Sequence, residues 1–199
     1  MYKGDGGQEC KRWCVNTSYD SKVFYKGNKG DERKVREEHA NGIVEYYEGE
    51  KGKEHKTKME IAEVDDVVLY YEGNAGEERV CCVKHPNGIA MFYEGDKGKE
   101  RMVRSEYSNG VTYYYEGDQG KEHVVHTGHS NGIMFYYEGN KGEERKTRME
   151  HTNGIVEYYA GEKGKEHKTQ MEDTVNGILR IYKGGQGNER IVRECVLGE

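Results

Sequence analysis

Proline is almost absent from this chain of 199 residues, Pro86 being the only one. Apolar residues are scarce as well, at 33% of the total against 34% charged, with a mean hydropathy of -1.10. So thin an apolar content excludes a deep globular core. No apolar run approaches the roughly 18 to 20 residues of a membrane-spanning helix, and the N-terminus carries no secretory hydrophobic stretch. The five cysteines, Cys10, Cys14, Cys81, Cys82 and Cys195, are irregularly spaced, which does not fit the framework of a disulfide-rich secreted domain and favours a reduced, intracellular and by default cytoplasmic setting. The formal charge of -6 is spread over alternating Lys, Arg and Glu without a basic block, so no phosphate backbone is expected as a partner.

Low hydrophobicity with high charge would ordinarily mean disorder. The placement of the 17 tyrosines argues otherwise. One phrase recurs nine times, ending in Tyr2, Tyr25, Tyr47, Tyr71, Tyr93, Tyr115, Tyr137, Tyr159 and Tyr182, at steps of 22 to 24 residues. Each of these tyrosines is followed two residues later by Gly and after three more by a second Gly. A fixed period of this length is the signature of a repeat array, in which each unit buries its apolar face against its neighbours alone. The whole of 1–199 therefore reads as one array, with a divergent partial repeat over 1–19 and an end segment over 194–199. Because Met1-Tyr2-Lys3-Gly4 enters the repeat in mid-strand, the chain is expected to belong to a longer product, and an organellar destination stays open.

Residues 41–60 make a clean unit with two turn signals. Asn41-Gly42 recurs as Asn87-Gly88, Asn109-Gly110, Asn131-Gly132, Asn153-Gly154 and Asn176-Gly177, with Asp65-Asp66 and Tyr19-Asp20 standing in elsewhere. Such pairs supply the positive φ of a tight hairpin. The second signal is Gly49-Glu50-Lys51-Gly52 and its copies. Strands of about six residues lie between, a common strand length. A two-residue loop inside Gly-x-x-Gly would set Tyr47 opposite Glu54, Tyr46 opposite His55 and Val44 opposite Thr57. One face would then carry Val44, Tyr46, His55, Thr57 and Met59, the other Ile43, Tyr47, Glu54 and Lys58; parity alone does not say which is buried.

Comparison among the copies assigns roles. The first aromatic position varies (Phe24, Tyr46, Tyr70, Phe92, Tyr114, Tyr136, Tyr158, Ile181) and needs only bulk. The second is Tyr throughout (Tyr25, Tyr47, Tyr71, Tyr93, Tyr115, Tyr137, Tyr159, Tyr182), which predicts a fixed partner for its hydroxyl. The Glu two residues after the second Gly, as in Glu54, Glu100, Glu122 and Glu144, is equally constant, and a Tyr to Glu contact is the simplest pairing. The next residue is Arg or His, as in Arg79, Arg101 and Arg145, expected to stack on the aromatic row. Val35, Thr57, Cys81, Val103, Val125, Thr147, Thr169 and Val192 follow two residues later as a small packing position.

With Asn41-Gly42, Tyr47-Glu48-Gly49 and a second glycine hairpin in each 22 or 23 residues, the chain resembles the MORN (membrane occupation and recognition nexus) repeat over nearly its whole length. It departs from that pattern at Lys51 and in the charged run Glu54-His55-Lys56, where the family places an aromatic and a glycine. The resemblance implies an all-β, elongated array of antiparallel β-hairpins forming one continuous twisted sheet. It also implies self-association, scaffolding and attachment to phosphoinositide membranes.

His123, His126 and His129 invite a metal reading, but a strand points His126 away from the other two. Cys10, Cys14 and distant Cys195 form a second, weaker set. We expect no metal, no cofactor and no catalytic residue: no nucleophile has a motif around it, and the glutamates recur in every copy as structure requires and one active site does not. A non-enzymatic scaffold docking other protein subunits, or itself, through sheet faces or terminal strands is the expected role. The alternative is a peripheral phosphoinositide-binding module using Arg36, Lys58, Arg104, Arg148 and Arg193, whose regular offset by Glu predicts weak binding.

Overall fold

The computed structural model describes residues 20–62 and 66–196, together with the backbone of 2–3, 10–11 and 13–16. Glu9, Tyr19, Asp65 and residues 197–199 lie outside the described residues, as do the side chains of Tyr2, Cys10, Trp13 and Cys14. The chain divides into two compact units, residues 1–100 and 101–199. Both are all-β, and no helix occurs among the described residues. The first holds β1 (Tyr2–Lys3), β2 (Cys10–Lys11), β3 (Trp13–Asn16), β4 (Ser21–Lys26), β5 (Arg33–His39), β6 (Ile43–Glu48), β7 (His55–Ile61), β8 (Val67–Glu72), β9 (Arg79–Lys84) and β10 (Ala90–Glu94). The second holds β11 (Arg101–Glu106), β12 (Thr112–Glu116), β13 (His123–Gly128), β14 (Met134–Glu138), β15 (Arg145–Glu150), β16 (Ile155–Ala160), β17 (His167–Asp173), β18 (Ile178–Lys183) and β19 (Arg190–Val196). In each unit consecutive strands pair antiparallel, from β3 to β10 and from β11 to β19. This is the hairpin array that the 22-residue period predicts.

The two turn signals build two different connections. At His85-Pro86-Asn87-Gly88 the Gly88 N–H donates to His85 O at 3.1 Å and the His85 N–H to Ile89 O at 2.9 Å. Gly88 has a φ of 82°, while Pro86 and Asn87 keep negative φ. This is a type I turn closed by a left-handed glycine, with Pro at its favoured second position. The Asn does not itself adopt positive φ, as the sequence suggested; its side chain accepts from the N–H two residues on, as Asn87 Oδ1 does from Ile89 at 3.1 Å. Asp20 and Asp66, at φ of 48° and 52°, are the only non-glycine residues with positive φ among the described residues. Both occupy the glycine place of this turn, which Asp tolerates better than most residues.

The Gly-x-x-Gly connection is longer than two residues. Lys53 N–H donates to Glu50 O at 2.9 Å and Gly52 takes a φ of 77°, which makes Glu50 to Lys53 a type II turn. Strand pairing resumes at Glu48 with His55. Tyr47 lies opposite Lys56 and Tyr46 opposite Lys58, so Thr57 is an extra residue, a β-bulge. The anticipated register, Tyr47 with Glu54 and Tyr46 with His55, is therefore corrected, because the type II turn sits one residue later and the bulge absorbs another. The same shift follows Phe24, Tyr70, Tyr114, Tyr136, Tyr158 and Ile181. The small residue predicted to pack is instead the bulge residue. Its side chain turns back to the backbone: Thr147 and Thr169 hydroxyls donate to Tyr136 O and Tyr158 O at 3.4 and 3.3 Å.

This register re-sorts the faces. One, the ladder face, carries Val44, Tyr46, Lys58 and Glu60; the other, the tyrosine face, carries Ile43, Glu45, Tyr47, Lys56, Met59 and Ile61. Burial separates them where parity could not. Ser21, Val23, Val67, Ser105, Thr127, Glu157 and Met171 are buried on the tyrosine face, against Cys82 on the ladder face.

Candidate functional site

The constant glutamate is a joint between repeats. Glu54 accepts from Gly52 N–H of its own turn at 2.8 Å and from Lys34 N–H of the preceding repeat at 3.2 Å. Glu78 does the same with Gly76 and Lys56, at 3.0 and 3.4 Å. Glu100 takes Gly98 and Val80, Glu122 takes Gly120 and Met102, and Glu144 takes Gly142 and Val124. Burial raises the carboxyls of Glu54, Glu122 and Glu144, but the backbone donors outweigh it and hold them below the ordinary range. In Glu100 the backbone donors lead. A lysine staples the same joint from outside: Lys51 Nζ donates to Gly30 O, Lys97 to Gly76 O, Lys141 to Gly120 O and Lys163 to Gly142 O, at 2.5 to 3.0 Å. Neighbouring turns are thus locked by a carboxylate to backbone N–H and an ammonium to backbone C=O.

At Tyr47, Tyr71, Tyr115, Tyr159 and Tyr182 the hydroxyl meets a group other than the expected constant Glu, whose carboxylate is occupied by backbone N–H groups. The tyrosine hydroxyls find partners that differ along the array. Tyr47 donates to Glu45 at 2.5 Å and Tyr159 to Glu157 at 2.6 Å. Tyr115 shares a 3.0 Å hydrogen bond with Ser105, itself only 1% exposed. Tyr71, Tyr93 and Tyr182 meet the sulfurs of Met59, Met91 and Met171. Tyr25 and Tyr137 stand opposite Lys34 and Lys146 in their bulges. What is constant is the ring's place on the buried face; sequence comparison could not see that its hydroxyl partner changes.

Arg79 and Arg145 pair with Glu72 and Glu138 at the hairpin end rather than stacking on the aromatic row, because they lie opposite those glutamates in register. Arg101 opens β11. The cations over rings come from the neighbouring positions. On the tyrosine face Lys34 lies 3.8 Å from the Tyr47 centroid and Lys146 3.6 Å from that of Tyr159. On the ladder face Arg36 sits between Phe24 and Tyr46, Lys58 over Tyr46, and Arg148 over Tyr136 at 3.9 Å. His126 stacks on Tyr114 with centroids 4.1 Å apart, and burial keeps its imidazole below the ordinary range against the opposing pull of Glu116. Each of these rings thus has a face taken by the chain's own side chains.

Two charged clusters lie on the tyrosine face. In the first unit Glu45 takes Lys56 at 2.6 Å, Tyr47 and His39, while Glu37 takes Lys34 and Ser21. Burial pushes the Glu45 carboxyl up, yet Lys56, Tyr47 and His39 together hold it at about 2. In the second unit Glu157, 8% exposed, takes Lys168, Tyr159 and His151. Glu37, His39 and Glu45 bring three metal-ligand atoms within 4.8 Å of one another. Lys34 and Lys56 already neutralise both carboxylates there, so a cation would compete with two ammonium groups. His123, His126 and His129 do not converge: His126 stacks on the ladder face, and His129 packs edge-on to Phe135 on the other. Cys81 donates to Tyr70 O at 3.5 Å, its thiol raised by burial, and Cys82 is buried opposite Tyr70 and Phe92.

A cleft of about 580 Å³ between successive turns is lined by Lys26, Gly27, Asp31, Arg33, Gly49, Glu50 and Lys51. Two of its donors are spent internally, Arg33 on Gly49 O at 2.6 Å and Lys51 on Gly30 O at 2.5 Å. In the second unit the last described strand, β19, pairs with β18. It exposes Ile191, Val192 and Val196 at 51%, 46% and 64%. Among the described residues no helix is long and apolar enough to cross a membrane. Compared with known protein families and with curated proteins, the sequence matches none.

Proposed function

We propose that this chain is a non-enzymatic, MORN-like repeat scaffold or structural subunit that holds other proteins, or further copies of itself, in a larger assembly. The observation that carries the reading is the exposed apolar surface of β19. β19 exposes Ile191, Val192 and Val196, whereas cations such as Lys56, Arg148 and Lys51 are spent on a carboxylate, a ring and a carbonyl of the same chain. Exposed apolar side chains grouped on one strand mark a surface that docks a protein partner. The charge pattern favours this over attachment to anionic lipid. Arg36, Lys58, Arg104 and Arg148 are tied to Glu38, Glu60, Glu106 and Glu150, which leaves little net field for headgroups.

The test uses the intact chain as bait in source lysate, beside an Ile191→Asp/Val196→Asp variant of unchanged circular dichroism and melting. Recovery of a defined protein set by the parent and its loss from the variant is the expected result. Flotation with phosphoinositide liposomes that high salt abolishes, and that the variant retains, would make the membrane reading the correct one.

A further inference from the structure

Asn-Gly is the dipeptide in which the glycine nitrogen most readily attacks the preceding side-chain amide, and six copies stand in exposed turns of this chain. Five are held alike. Asn41, Asn87, Asn109, Asn131 and Asn153 each use Oδ1 to accept from the N–H two residues on, at 3.1 to 3.3 Å. The following glycine N–H donates to the carbonyl three residues back, from Gly42 to His39 through Gly154 to His151, at 2.8 to 3.1 Å. The attacking nitrogen and the attacked amide are thus both tied into the turn.

The sixth turn has one residue more, Asp173-Thr174-Val175-Asn176-Gly177 against His151-Thr152-Asn153-Gly154. Gly177 is therefore four residues from the strand end, and the return bond of the other five does not form. Thr174 donates through N–H and hydroxyl to Gly154 O, at 3.0 and 2.8 Å. Asn176 gives its N–H and Nδ2 to the Asp173 carboxylate at 2.9 and 2.7 Å. Val175 stands 72% exposed above the turn. Oδ1 of Asn176 is not tied to Ile178 N–H as its counterparts are.

We propose that Asn176 is the chain's site of spontaneous deamidation, and that the five regular turns are built in a way that resists it. The Gly177 nitrogen, losing its proton to solvent hydroxide, bonds to Asn176 Cγ. The Cγ to Nδ2 bond breaks and ammonia leaves, taking a proton from water. Water then opens the succinimide at either carbonyl, giving aspartate or isoaspartate at 176. No oxidant or cofactor is needed. The product places a second carboxylate where Nδ2 now donates to Asp173 and, as isoaspartate, lengthens the backbone by one methylene. The turn between β17 and β18 loosens as a result.

Peptide mapping by mass spectrometry of the folded chain, held at mildly alkaline pH and sampled over time, tests this directly. Asn176 should convert about tenfold faster than any of the other five, as expected when one or two hydrogen bonds must break before attack. In denaturant the six rates should draw together. Deleting Val175 should slow Asn176 to the common rate, and inserting one residue between Thr152 and Asn153 should accelerate Asn153. Equal rates at all six in the folded parent, or Asn176 converting no faster than the others, would overturn the proposal.

Discussion

The two charged clusters and the stretch between them fill the same positions of the tyrosine face with opposite chemistry. At Glu45 and Lys56, and again at Glu157 and Lys168, a carboxylate and an ammonium meet beside a tyrosine hydroxyl. One of the four intervening repeats holds Phe135 with Lys146 at those positions; the other three hold Leu69 with Val80, Met91 with Met102 and Tyr113 with Val124. The tyrosine hydroxyls there turn to sulfur or to Ser105. The backbone does not distinguish the two fillings: the same bulge follows Tyr46, Tyr70, Tyr114 and Tyr158. The lesson is that turns and the glutamate joint set the fold, while the face between them accepts fillings as different as an ion pair and an apolar pair, and even holds Thr127 with its hydroxyl buried and unpartnered.

The comparison breaks most severely if one partner of a charged pair is removed. Lys168→Met should cost about 3 kcal/mol in urea denaturation, because Glu157 would be left buried without its ammonium. Acid probes the matching pair in the first unit. Glu45 is depressed from 4.5 to about 2, so its contribution is complete above the ordinary carboxylate value and is lost as pH falls from there towards 2. It amounts to up to roughly 3 kcal/mol at 1.36 kcal/mol per unit. Melting across this range should steepen in the parent and flatten in Glu45→Gln.

Tyr115→Phe strands the buried Ser105 hydroxyl and should cost about 1 to 2 kcal/mol. Tyr71→Phe, which gives up only a contact with Met59 sulfur, should cost under about 0.5 kcal/mol; equal losses would mean that burial of the ring alone decides. The smallest effect sharpens the comparison furthest. The double change Glu157→Leu and Lys168→Val copies Leu69 and Val80, and should lie within about 1 kcal/mol of the parent or be more stable.

Much of the architecture was legible from spacing. The period, hairpin succession and both turn sites follow from Tyr, Asn-Gly and paired glycines, since turn chemistry is local. Register was not, because a bulge leaves no mark beyond a small residue such as Thr147, whose hydroxyl to carbonyl bond exists only in three dimensions. The constant glutamates could be ranked as important, but not as joints, since the N–H they hold lies 20 residues away in Lys34 or Lys146. The charged clusters were not singled out at all. One signal was available: 27–60 and 139–172 differ at only six positions, and both contain the Glu, Lys, Tyr and His of a cluster. The exposed apolar side chains of β19 were not legible either, since they depend on how the last bulge aims Ile191 and Val192.

Amide hydrogen exchange on Glu144→Ala tests most directly whether the constant glutamate joins neighbouring repeats. The account predicts faster exchange at Val124 in the preceding repeat as well as at Gly142 in its own turn, both of which that carboxylate holds. Loss of protection at Gly142 with Val124 unchanged would contradict it, leaving the glutamate a cap for its own turn and the repeats joined by strand pairing alone.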